Sequence, residues 1–310
     1  MRRVIRAGRS TALLATAALA LTIGVGTGAD AAPSAPDRVA DQIERVAPKA
    51  SLRDFARGRD GRFTAGGRVD VAAPESTSGV VVLRSVEGAS VTLGLPREAT
   101  AAAKVAQDGT AVYAGRSVDV AVQATTTGAR VLTVLSSKDA PSTYTYGLAD
   151  GVVPVINPDG SATLTVPVGA ATVIDLATVQ APWAKDAEGR RVPTHFESTA
   201  DGLVQVVEHA GADLTYPVVA DPHVDLNWAN FTVTLSQAEQ RILLAGDVTG
   251  LGTAICAVAA PVCVPAAALL ASGLQWLFER GSICTGSKPR LRMVAPYTFP
   301  IGGAVFGCVK

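Results

Sequence analysis

The 310-residue chain is poor in the residues that build most active sites. Aromatic side chains make up 5% of it, the histidines are three (His195, His209 and His223), the cysteines four, and 27 basic residues balance 27 acidic ones. A balanced charge lacks the basic footprint that nucleic acid requires, so nucleic acid is excluded as a partner class. The chain contains no G-x-S-x-G elbow, no H-E-x-x-H pair, no G-x-x-x-x-G-K-[ST] loop and no G-x-G-x-x-G between a strand and a helix. A Ser-His-Asp triad assembled from distant segments stays open, because its members need not be close in sequence. The reading therefore leans against an enzyme, and no catalytic residue or cofactor is expected. What is abundant is apolar: 48% hydrophobic residues and a mean hydropathy of +0.29 support folded cores rather than disorder. That fraction leans on Ala and Val, which suits sheet layers better than an aromatic-lined cleft.

The first 31 residues read as an export signal. Arg2, Arg3, Arg6 and Arg9 form a basic start, Thr11 to Val25 is uncharged and mostly apolar, and Ala29-Asp30-Ala31 places small residues where a signal peptidase cuts. Cleavage is expected after Ala31. The competing reading, an uncleaved anchor, asks for ~20 apolar residues to span a bilayer, more than this run supplies. Removing the segment leaves 23 basic against 26 acidic residues, a net charge of −3.

Export changes how the cysteines read. Cys256, Cys263, Cys284 and Cys308 all fall in the last 55 residues, and an even number in an oxidising compartment favours two disulfides. Zinc is disfavoured, since there is no C-x-x-C knuckle and the spacings of 7, 21 and 24 are irregular. Sequence alone allows three connectivities. Cys284 with Cys308 is the expected pair, because the segment between them reads as a strand, a turn region from Pro296 to Gly303 and a returning strand. That leaves Cys256 with Cys263. Seven residues of unbroken helix rise ~10.5 Å, beyond bridging distance, so this pair needs Pro261 to end a helix and turn the chain.

The expected fold class is α+β and multidomain. After the signal peptide (1–31) comes a polar arm with one short helix (32–67), in which Val39, Ile43 and Val46 mark an apolar stripe that Pro48 ends, while Arg53 to Arg62 looks too polar to pack. An antiparallel β-sandwich-like module follows (68–224). Short strands are expected at 80–86, 90–95, 117–124, 130–135, 143–148, 152–156, 161–166, 203–209 and 214–220, with Asp108-Gly109 and Asp159-Gly160 as tight turns. From Thr232 the period becomes helical, and Ser236 with Glu239 forms a capping box. The last part (225–310) is expected to be a disulfide-containing helical hairpin domain ending in a β-hairpin. Its Val248 to Phe278 run holds 31 uncharged residues, and Pro261 and Pro265 divide it into two pieces too short to span a membrane as helices.

Few residues stand out chemically. Asp221, His223 and Asp225 alternate, so an extended strand would put them on one face, where they are weak candidates for holding a cation; a polar linker is the plainer reading. Trp183 and Trp228 are candidate sugar platforms or core fillers. Trp276 is either an interfacial anchor or a core residue of the helical part.

One segment is distinctive. Ala181-Pro182-Trp183-Ala184-Lys185-Asp186-Ala187-Glu188-Gly189-Arg190-Arg191-Val192-Pro193-Thr194, followed by Leu203 to Val207 and closing with Tyr216-Pro217-Val218-Val219-Ala220-Asp221-Pro222, resembles a recurrent β module of secreted Gram-positive, especially actinobacterial, proteins. The resemblance spans about Val118 to Pro222. It implies secretion and modularity, and assigns no catalytic residue. Read physically, prolines bracketing Val218 to Ala220 suggest a terminal edge strand.

The expected function is that of a secreted, non-enzymatic binding or interaction protein at or outside the cell surface, with a cell-wall, cell-surface or membrane component as partner. The alternative is a membrane-active effector of bacteriocin or toxin type that inserts 248–278. An extracytoplasmic hydrolase ranks third.

Overall fold

Val, Thr and Ala at alternate positions dominate the chain between residues 63 and 235, and they fold as short antiparallel strands. The computed structural model describes residues 34–168, 171–211, 213–258, 263–300 and 303–310. The architecture is α+β, mostly antiparallel sheet, with four helices among the described residues. The described residues, from Ser34 onward, form one compact unit.

The arm opens with α1 (Ala35–Val46). The Ser34 hydroxyl accepts from the Asp37 amide and Asp37 reaches back, and Val39, Ala40, Ile43 and Val46 form the buried stripe. The segment after it packs, contrary to expectation. Its β1 (Leu52–Arg53) pairs with β9 (Val118–Thr125), Phe55 is buried, and the Arg53 guanidinium donates to the carbonyls of Val69 (2.6 Å) and Thr125 (2.7 Å). A long polar side chain has satisfied buried backbone acceptors that an apolar one would have left bare.

Two small sheets come next. One runs β2 (Ala56–Arg57), β3 (Phe63–Ala65), β4 (Val69–Ala73), β5 (Val80–Ser85), β6 (Ser90–Gly94), and the other is ordered β11 (Thr143–Tyr146), β17 (Gly202–Val207), β16 (Thr194–Thr199). The third sheet, of 14 strands, is centred on β9, β10 (Gly128–Leu135) and β14 (Thr172–Val179), and starts at β7 (Lys104–Val105) and β8 (Ala111–Tyr113). Every residue of β10 is buried, because both faces are covered. Val131 and Leu135 enter the main core with the small sheets, and Leu132 and Val134 lie under α1 with Val112, Ala121 and Val219.

Both Asp-Gly pairs form turns, joining β7 to β8 and β12 (Val153–Ile156) to β13 (Ala162–Val168). Gly109 and Gly160 have φ of +80° and +84°, and the preceding aspartates accept from the amides of Thr110 and Ser161.

The boundary expected between 224 and 225 is not a break in the structure. β18 (Val218–Ala220) and β19 (His223–Leu226) share one register along β10, and β14 pairs with β19 through Ala177 to Val179 and with β20 (Asn230–Leu235) through Val173 to Asp175. The sheet then continues through β21 (Arg290–Pro296) to β22 (Val305–Val309). Thr232 therefore lies in a strand rather than at the start of helical sequence. β18 is also not an edge, since β10 flanks it on one side and β15 (Ala184–Lys185) on the other. Its prolines fall just outside the ladder, so no hydrogen bond is lost.

The capping box at Ser236 starts α2 (Gln237–Leu244), and Glu239 Oε1 also accepts from the amides of Ala171 and Thr172 (3.2 and 2.7 Å), fixing the helix to β14. α3 (Val248–Val258) and α4 (Cys263–Arg280) pack with α2 on β20 and β21, around Phe231, Val233, Leu269, Leu270, Leu291 and Met293. Pro261 lies outside the described residues. Pro265 sits in the first turn of α4, where its missing N–H has no helical acceptor to lose. Cys256 is bonded to Cys263 and Cys284 to Cys308, with Cα separations of 4.4 and 5.5 Å. Among the described residues no helix is long and apolar enough to cross a membrane.

Candidate functional site

The distinctive 181–194 segment folds back on itself. Asp186 is its organiser: fully buried, its carboxylate accepts from the amides of Glu188 (3.1 Å), Arg190 (2.8 Å) and Thr215 (3.2 Å) and from Arg190 Nε (2.7 Å). Desolvation acts to raise its pKa, but these donors prevail and hold it below 3.8. Gly189, at φ +80°, closes the turn. The returning chain is then zipped to the outgoing one by the Val192 amide on the Ala184 carbonyl (2.9 Å) and by a bridge between Lys185 and Arg191.

This fold-back forms a cavity of about 510 Å³, within the usual size of small-ligand sites, whose walls include Pro48, Trp183, Lys185, Arg191, Pro193 and Thr194. Its charged lining residues, Lys185 and Arg191, are both basic. Lys185 Nζ donates to the Val46 carbonyl at 2.9 Å and lies 5.9 Å from the Trp183 ring centre. An ammonium has three donors, so this bond leaves two for a ligand. Arg130 also lies 5.9 Å from that centre and donates to the Pro48 carbonyl (3.0 Å). The pocket thus combines a flat aromatic wall, proline surfaces and positive charge.

Asp221, His223 and Asp225 do share a face, as their alternation requires, but they do not converge as ligands. Asp221 is 2% exposed and accepts from the Trp183 amide at 3.4 Å. Burial pushes its carboxyl up to about 7, with the nearby Arg130 charge pulling the other way. His223 Nε2 approaches Asp225 Oδ1 at 3.4 Å, and burial lowers its pKa. Asp225 accepts from Thr127 (2.6 Å) and Gln180 (2.7 Å). The cation beside this row is a guanidinium from the next strand, Arg130, which pairs in register with His223. Among the described residues no group of three or more His, Cys, Asp or Glu is placed to hold a metal.

The remaining candidates serve packing. His209 is buried, its Nδ1 accepting from the Tyr216 hydroxyl (2.9 Å) while Nε2 donates to the Pro141 carbonyl (3.2 Å). His195 is exposed between Glu197 and Glu208 (3.5 and 3.7 Å). Trp228 packs against the main core with Arg68 5.0 Å from its ring centre, and Trp276 stacks on Phe306 at 6.1 Å against the helical core. Lys185 and Arg191 stand in the distinctive segment, yet nothing in their spacing announces a shared cavity. The signal that could have found them is the Asp186 to Gly189 turn, which brings the flanks together. Compared with known proteins, the chain matches no family model, no curated protein and no solved structure.

Proposed function

We propose that this is a secreted, non-enzymatic binding protein that works at or outside the cell surface and takes an acidic saccharide in the pocket beside Trp183. The observation that carries the reading is the cavity in which Trp183 and three prolines, Pro48, Pro182 and Pro193, meet two basic side chains and no acidic one. A sugar ring suits a flat apolar wall, and a carboxylate or phosphate on it suits Lys185 and Arg191. The basic, apolar start of the sequence and the two disulfides support export. The β region is read as sandwich-like, because the large sheet and the small sheets contribute to one core, and α3 with α4 as a disulfide-closed helical hairpin.

The test is calorimetry of the secreted protein with galacturonate oligomers and with neutral galactose oligomers of the same length. The acidic oligomer is expected to bind, the neutral one to bind at least tenfold more weakly, and a Lys185→Gln/Arg191→Gln variant to lose at least tenfold. Equal binding of both oligomers, or an unaffected variant, refutes the reading. Leakage of dye-loaded vesicles by the protein would favour the membrane-active alternative instead.

A further inference from the structure

We propose that a second cleft, walled by Glu98 and Asp201 between the two small sheets, binds a small organic cation through a primary ammonium group. The sheets meet where the Gly94 amide donates to the Gly147 carbonyl (2.7 Å) and Leu93 bridges Leu148. The seam is tight: a Cβ on Gly94 would lie 3.1 to 3.3 Å from three backbone atoms of Gly147, so the backbone there would have to shift by a few tenths of an ångström to admit one. Beside it is a cleft of about 590 Å³, whose lining includes Glu98, Asp201, Arg97 and the hydroxyl residues Ser78, Thr92 and Thr145.

Three features choose the ligand class. Glu98 Oε2 is buried without a hydrogen-bond partner, an acceptor that a donor-bearing ligand would relieve once the carboxylate turns toward it. Two carboxylates against one exposed guanidinium leave the wall negative. The field reaches inward, since Glu98 adds to the burial that raises the pKa of Tyr144 and Tyr146. No aromatic ring lines the cleft, so a neutral sugar finds no stacking surface, and two carboxylates are too few for a dedicated metal cage. An ammonium supplies both the positive charge and the N–H donors. The chemistry is opposite in sign to that of the Trp183 pocket, so neither proposal depends on the other.

The test follows the amide NMR signals of Gly79, Gly94 and Gly147 in the secreted protein, together with calorimetry. The probes are glucosamine, glucose and tetramethylammonium, each raised to about 20 mM because single-ammonium sites are weak. Glucosamine is expected to shift these amides, with glucose (no charge) and tetramethylammonium (no donor) at least tenfold weaker. Glu98→Gln is expected to weaken glucosamine at least tenfold. Asp201→Asn, at an exposed turn where folding is not at stake, is expected to weaken it severalfold. The proposal is overturned if glucosamine leaves the amides unmoved, if glucose binds as well, or if Asp201→Asn and a folded Glu98→Gln both bind like the parent.

Discussion

Replacing Phe231 by Ala asks whether the C-terminal helices are a domain of their own or part of one cooperative body. Phe231 is fully buried on β20, among the side chains of α2 to α4, with Tyr297 5.6 Å from its ring centre. Removing a buried Phe side chain costs ~3–5 kcal/mol, the lost transfer free energy plus the cavity left behind. If the sheet from β7 to β22 unfolds as one unit, that loss spreads over the entropy of a large chain and lowers the melting temperature by only ~2 °C per kcal/mol, about 6–10 °C in all. If residues from 237 onward melt alone, as a unit of roughly 75 residues, the shift is ~4–8 °C per kcal/mol, or more than about 12 °C. Two reporters separate the cases. Trp276 stacks on Phe306 in the helical core, and Trp183 packs against the core under α1, so single-tryptophan versions report the two ends. Coincident transitions that shift together by the smaller amount are expected. A large shift at Trp276 with Trp183 unmoved would refute the one-body reasoning and restore the separate helical domain.

Two other perturbations follow from particular atoms. Gly160→Ala should cost ~1–2 kcal/mol, the strain of a positive φ alone, because its new Cβ meets nothing nearer than 3.9 Å, whereas Gly109→Ala should cost clearly more, since its Cβ would lie 2.5 Å from the Asp54 Cα; urea denaturation giving equal losses would contradict this. Asp221 holds its proton in the folded state up to about pH 7 while an ordinary carboxyl has released it near 3.8. Its contribution is therefore complete below the unfolded value and is lost as pH rises through 7, so Asp221→Asn should flatten the fall in stability between pH 4 and 8, and an unchanged pH slope in urea titrations would count against it.

How far the sequence could be read depended on how local each signal was. The α1 stripe, the Ser236 capping box and strands at all nine expected places are present, the last of them only over Val218 to Ala220, because alternation and capping are decided within a few residues. β14 escaped notice although it joins the two halves of the large sheet. Its ladder with β13 slips between Leu164 and Thr165, which makes Leu176 an extra residue, and the buried positions change from Thr172 and Ile174 to Ala177 and Val179. A period-two pattern that changes phase midway, with Asp175 in its centre, does not look like a strand. β20 was hidden differently, by lying directly against the capping box. Its buried apolar side chains, Phe231, Val233 and Leu235, serve the helical core rather than the β core.

The candidate pocket was less legible, because its walls, Pro48 and residues 182 to 194, and the groups that hold those walls come from four places that only the fold unites. Trp183 and Asp186 stand in the distinctive segment, but Arg130 comes from β10, Asp221 from the far end of β18, and Pro48 from the arm. Their meeting has a common cause at the C-terminal end of α1. A helix end presents unsatisfied carbonyls and the negative pole of its dipole, and here the Val46 carbonyl in the last turn is met by Lys185 and the Pro48 carbonyl just beyond by Arg130. Bringing Arg130 under the arm places a buried guanidinium on the same sheet face as Asp221, and this is why that aspartate faces a protein cation. It also explains why the arm, polar as its sequence is, forms a wall of the cavity: the two cations that fasten it both lie near Trp183, and Lys185 keeps donors to spare for an anion.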